Sequence, residues 1–104
     1  MIYEFCAENV TLLEKAMQAG ARRIELCDNL AVGGTTPSYG VTKAAVELAA
    51  NYDTTIMTMI RPRGGDFDYN DLEIDIMLED IRLTAQAGSQ GVVFGVLTAD
   101  KKLD

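Results

Sequence analysis

The stretch that decides the fold is Arg23-Ile24-Glu25-Leu26-Cys27. Successive side chains of a strand point to opposite faces, so Glu25 and Cys27 share one face and Ile24 and Leu26 the other. Residues 2–7, IYEFCA, read as the preceding strand and repeat the pattern. There Glu4 and Cys6 lie on one face, with Tyr3 and Phe5 opposite. An open parallel sheet buried beneath helices on both sides calls for strands that are apolar throughout. Two consecutive strands that each carry a carboxylate and a thiol on one face suit the interior of a barrel instead.

Working outward, Asn9 or Thr11 is placed to cap a helix, and Thr11 with Glu14 has capping-box spacing. Leu13, Ala16 and Met17 give that helix an apolar face and Gly20 ends it. After Cys27 a long loop, Asp28 to Gly40, holds Gly33, Gly34 and Pro37. Val41, Ala44, Ala45 and Leu48 then recur at helical spacing. Thr54 to Ile60 reads as a third strand and Arg61 to Tyr69 as a loop. Asn70 followed by Glu73 marks a helix start. Ile74, Met77, Leu78, Ile81 and Ala85 are its expected buried face, and Gly88 closes it. Gly91 to Leu97 is a fourth strand, apolar enough to be covered on both faces. Ala19-Gly20 and Ala87-Gly88 each follow a helix and precede a strand, a faint internal repeat. Strands alternating with helices imply a parallel sheet with right-handed crossovers, in one domain over residues 1–104.

Composition narrows the function. Of the 104 residues 48% are hydrophobic and 24% charged, and the net charge is −7. An acidic surface repels phosphate backbones, so nucleic acid and anionic membrane are poor partners. No run is long and apolar enough for a bilayer, and the N-terminus lacks a secretory signal. A cytoplasmic location is expected. Cys6 and Cys27 are too few for a disulfide framework and should be free thiols there. With no histidine in the chain, acid–base chemistry would fall to carboxylates or thiols.

Four segments are informative together: Phe5 to Asn9 (FCAEN), Glu25 to Gly40 (ELCDNLAVGGTTPSYG), Met59 to Phe67 (MIRPRGGDF) and Gly91 to Thr98 (GVVFGVLT). In order and spacing the chain resembles the CutC-type copper homeostasis proteins. The resemblance implies an α/β protein of the (β/α)8 TIM-type barrel family, a cytoplasmic location and a role in copper handling. It also implies that only the first four β/α units, a half barrel, are present. Family members continue for about as many residues again, and a complete barrel needs ~200 or more.

In such a barrel the C-terminal ends of the strands form the active face. That places Cys6, Glu8, Cys27 to Asn29, Arg61, Arg63 and Thr98 there. Strands lie about 4.8 Å apart, and two metal–thiolate bonds of roughly 2.3 Å span a similar gap. Soft thiolates select Cu(I), so Cys6 and Cys27 are the candidate metal ligands. Alternate layering of inward side chains would stagger the pair, and free cysteine is among the most buried residue types. A core role for both thiols therefore stands beside the metal role. Met57 and Met59 could add thioethers, although methionine in a strand more often fills core.

Arg61 and Arg63 flank Pro62, and Gly64 and Gly65 open the backbone behind them. They are the candidate anion-binding pair, with Asp66 orienting Arg63. For Arg61 the favoured reading is structural: it turns inward to neutralise Glu25 or Glu4. Gly33, Gly34, Thr35 and Thr36 lack a Walker lysine and read as loop-shaping residues. Glu8 is either a general base at the barrel mouth or a helix-terminus partner.

Two functions follow, beside a third reading as a structural fragment whose site is incomplete without a second half. The first is a cytosolic protein binding Cu(I) through Cys6 and Cys27. The alternative is an enzyme on a small anionic metabolite held by Arg61 and Arg63, with Glu8 or Glu25 moving protons. No organic cofactor is indicated. Four sequential parallel strands are expected, with Glu4, Glu25 and Arg61 on the concave face. Unpaired first and fourth strands favour a homo-oligomer.

Overall fold

The computed structural model describes residues 4–8, 10 and 12–94, with Glu4 and Phe5 given by their backbone alone. The elements alternate as expected: β1 (Glu4–Glu8), α1 (Leu13–Gln18), β2 (Arg23–Cys27), α2 (Tyr39–Ala49), β3 (Thr55–Met59), α3 (Asp71–Gln86) and β4 (Gly91–Val93). All described strand pairs are parallel, in the order β1-β2-β3-β4. Tyr3, Asn9, Thr11, Thr98 and the expected extension of β4 to Leu97 lie outside the described residues.

The core shows which face of the sheet the helices cover. Ala7, Ile24, Leu26 and Ile56, all from one face, pack with Leu13, Ala16 and Met17 of α1 and Ala45 and Ala49 of α2. Helix α2 contacts both α1 and α3, and α3 contacts β4. The three helices therefore form one layer on one side of the sheet. Ile24, Leu26 and Ile56 are wholly buried beneath it, each stabilising the fold by ~1.5–3 kcal/mol. Thr58 is buried on the same side, where its hydroxyl meets Ser89 Oγ at 2.9 Å. Ser89 also donates to the Ile56 carbonyl at 3.0 Å, docking the turn before β4.

Local signals account for the helix ends. Asn70 and Glu73 form a reciprocal capping box at the start of α3. Ser38 caps α2 by accepting from Val41 N at 3.1 Å, an end the sequence reading placed too late. Helix α1 begins after Leu12, which makes no side-chain cap bond; the expected caps Asn9 and Thr11 lie outside the described residues.

Three expectations about the packing are corrected. Leu78 of α3 is 60% exposed and Ala85 is also exposed, whereas Met77 and Thr84 are buried. The buried stripe of α3 is narrow because α3 has a neighbouring helix on one flank only. Ala44 is exposed, and Thr42 takes an inward place on α2, its hydroxyl donating to the Ser38 carbonyl at 3.0 Å. Gly91, Val92 and Val93 are half-buried instead of covered on both faces, since helices lie on one side of the described sheet.

Candidate functional site

Opposite the helix layer the sheet carries sulfur and carboxylate. The register lays out one row of Cys6, Glu25, Met57 and Gly91. One level further toward the strand C-termini, Glu8 pairs with Cys27 and Met59 with Val93. Leu26 pairs with Thr58, so Met59 stands at the level of Cys27. The two thiols thus share a face and a strand pair but are staggered by two residues. With strands about 4.8 Å apart and a rise of about 3.3 Å per residue, their Cα atoms lie about 8 Å apart on the diagonal. That exceeds the ~7 Å limit for a disulfide.

Cys6 is exposed, whereas Cys27 is 1% exposed. The Cys27 thiol donates weakly to the Ala7 carbonyl, Sγ to O 3.6 Å. Its pKa is pushed up to about 11, first by burial and then by Cys6, Glu25, Glu8 and Asp28. Such a thiol stays protonated until something positive arrives. Glycine brings Met59 close. A Cβ at Gly34 would lie 2.8 Å from Met59 Sδ and 3.4 Å from Cys27 Cβ, so both side chains border that residue, although the Cys27 thiol itself turns toward β1. Met57 similarly fills the space left by Gly91, where a Cβ would come within 2.9 Å of its Sδ. Among the described residues no three His, Cys, Asp or Glu side chains surround a common metal position.

The proposed acid–base residues are differently employed. Glu8 accepts the backbone N–H of Leu30 at 3.0 Å, holding the start of a 3-10 turn, Leu30–Val32. It anchors the loop after β2. Glu25 is half-buried between Cys6 and Met57, and no described side chain neutralises it. The loop-shaping reading of Gly33 to Thr36 fits: Asp28 and Thr35 form an antiparallel bridge, and Thr36 Oγ1 accepts from Arg61 N at 2.8 Å.

The expectation that Arg61 neutralises Glu25 is overturned; the Glu4 side chain, the other expected partner, lies outside the described residues. Its Nη1 donates to the carbonyls of Val32 at 2.7 Å and Gly34 at 3.1 Å, and Nη2 to Gly65 at 2.7 Å. The backbone of the β2–α2 loop folds over the end of β3 and supplies carbonyls before any carboxylate can be reached. Gly33 makes room, for a Cβ there would stand 2.8 Å from Nη1. Arg63 is not a free anion hook either. It pairs with Glu73, reaches Asp66 Oδ1 at 3.3 Å as expected, and lies 5.0 Å over the Tyr69 ring. The bond from Arg63 holds the Glu73 carboxyl below its usual range. Glu73 thus both caps α3 and ties down the loop before it, a double role that the cap spacing alone did not disclose.

A sequential parallel sheet with helices on one face, and sulfur and carboxylate on the other, defines a parallel α/β protein. The chain belongs to the CutC family, whose model matches residues 1–104. It is 58% identical over 104 residues to a family protein CutC of Streptococcus pyogenes and 55% identical to one of Enterococcus faecalis. Each match covers all of this chain and 50% of the relative. A crystal structure of a CutC protein from Streptococcus agalactiae, provisionally named for copper homeostasis, superposes with a TM-score of 0.95 at 51% identity. That match covers 100% of this chain and 50% of the other. The chain spans about half the length of these relatives.

Proposed function

We propose that the chain supplies the first four units of a cytoplasmic (β/α)8 barrel that handles copper, and that it binds Cu(I) on its helix-free face. Cys6, Cys27 and Met59 are the ligands. The observation supporting this reading is that two thiols and a thioether share one face, with Met59 and Cys27 both bordering Gly34. Three soft donors suit Cu(I) and disfavour hard cations. Glu25, half-buried beside Cys6 with no neutralising side chain among the described residues, favours a cation at the same place. Sequential strands and a single helix layer support barrel closure, since a doubly wound sheet needs a switch in strand order. Arg63, and Glu8 as one of the two proton-moving candidates of the metabolite-enzyme reading, are engaged in loop structure, which favours copper handling of the two.

The test is competitive Cu(I) titration against a chelator under reducing conditions, with folding checked by circular dichroism. Wild type should bind one Cu(I) per chain. Cys6→Ser and Cys27→Ser should each weaken binding by at least about tenfold, because a hydroxyl is a poor ligand for soft copper. The double variant should lose little more. Equal affinity in all four folded proteins would remove the copper reading.

A further inference from the structure

Arg61 buries a charge that no described carboxylate neutralises. The residue is 8% exposed, and its guanidinium meets three backbone carbonyls and the face of Phe67, 4.9 Å from ring centroid to Cζ. Those groups are dipoles and a quadrupole; they soften a positive charge without cancelling it. One donor has no partner at all: Nε is buried and makes no hydrogen bond. Unpaired buried donors are rare enough to need a reason.

The position of the orphan is informative. Nε and Nη2 form the edge of a guanidinium that takes both oxygens of a carboxylate or phosphate. On Arg61 that edge holds the unpaired Nε and an Nη2 with one partner, Gly65. Arg61 also lines a cleft of about 250 Å³ with Met59, Ile60, Phe67, Val93 and Phe94. The cleft lies at the C-terminal ends of β3 and β4, the end at which parallel α/β sheets receive ligands. Every wall except Arg61 is apolar or aromatic. An inorganic ion would leave those walls unused.

We infer that this cleft binds a small organic anion, with its carboxylate or phosphate on the Nε/Nη2 edge of Arg61 and its apolar body against Phe67, Val93 and Phe94. At about 250 Å³ the space is below the range for drug-sized ligands and suits a compact metabolite. Because Nε is closed off from solvent, the ligand seats only when the cleft wall beside that edge moves aside. The cleft shares only Met59 with the sulfur cluster, and substitutions at Phe94 leave both thiols in place. Failure of either reading therefore leaves the other standing.

The test titrates the 15N-labelled chain with benzoate, phenyl phosphate and uncharged benzyl alcohol, following the Arg61 Nε–H resonance and measuring affinity by calorimetry. At least one anion should bind and move that resonance, with benzyl alcohol at least about tenfold weaker; the tighter anion identifies the headgroup. Phe94 is 53% exposed and makes none of the bonds to Arg61. Phe94→Glu should weaken anion binding by at least about tenfold by placing a like charge at the cleft, and Phe94→Gln by much less. The inference is overturned if neither anion moves Nε–H at millimolar concentration, if benzyl alcohol binds as tightly, or if Phe94→Glu binds like the wild type.

Discussion

Copper can bind Cys27 only by displacing a proton, and the surroundings of that thiol set how strongly binding depends on pH. Burial, reinforced by Cys6, Glu25, Glu8 and Asp28, raises its pKa to about 11. At pH 7 only about one chain in 10⁴ then carries the thiolate. Each unit of rising pH should strengthen Cu(I) binding about tenfold through this thiol alone, or about 1.4 kcal/mol. The gain should continue beyond pH 9, where an ordinary thiol, with its pKa of about 8.5, has already ionised. In Cys27→Ser the slope of log affinity against pH should be one proton shallower between about pH 7 and 10. Competition with a chelator of known pH dependence measures both slopes, and calorimetry in two buffers counts the protons released. Parallel slopes for wild type and Cys27→Ser would refute the assignment. The same shift governs the metal-free fold. A raised thiol pKa means the folded chain holds this proton more tightly than the unfolded chain. Its contribution is complete below the unfolded pKa and is lost as pH rises through the folded one. Stability should therefore fall between about pH 8.5 and 11, by an amount approaching ~3 kcal/mol, and the fall should be smaller in Cys27→Ser.

Mild oxidation should leave Cys6 and Cys27 unbridged within one chain, because their diagonal Cα spacing is about 8 Å; mass spectrometry finding an intramolecular disulfide in folded protein would contradict the register. Gly34→Ala forces a side chain at φ +95 and 2.8 Å from Met59 Sδ. It should cost roughly 1–2 kcal/mol and weaken Cu(I) binding. Gly40→Ala in α2, whose Cβ would clear its nearest neighbour by 4.0 Å, should be neutral or stabilising by up to about 1 kcal/mol; equal thermal melts of the two variants would sink the steric argument. The chain should self-associate through the open strand edges and the apolar surface of Leu72, Ile76, Leu78 and Phe94. A monomer with a cooperative melt in light scattering at micromolar concentration would contradict this.

The fold was legible where local chemistry and packing agree. The alternation in RIELC placed Ile24 and Leu26 under the helices and left Glu25 and Cys27 on the other face. Asn70 and Glu73 marked the start of α3 because a capping box is a purely local device. Element ends were harder to read. Pro37 and Gly40 made the loop after β2 look longer than it is, and Ser38 was passed over as the cap of α2. The face of α3 was misjudged for another reason. Ile74, Met77, Leu78, Ile81 and Ala85 have helical spacing, but spacing cannot tell how many neighbours a helix has. With α2 on one flank alone, Leu78 faces solvent.

The site shows the same division more sharply. Stagger of the two thiols could be anticipated, because layering between adjacent strands is a property of the sheet. The partnership of Met59 with Cys27 could not, because it depends on Gly34 returning over the strand ends. Arg61 was misjudged through a rule that is sound on average: a buried cation near carboxylates pairs with one. Here the loop between β2 and α2 arrives first. Val32 and Gly34 present carbonyls, Gly33 leaves room for Nη1, and the guanidinium is held away from Glu25. One backbone excursion therefore shapes both ends of the chemistry. Gly34 leaves room for the Met59 thioether next to Cys27, while Gly33 and the flanking carbonyls orient Arg61 with Nε unpaired. A sequence lists these residues as a flexible loop; their chemistry appears only once the loop has folded back across β3.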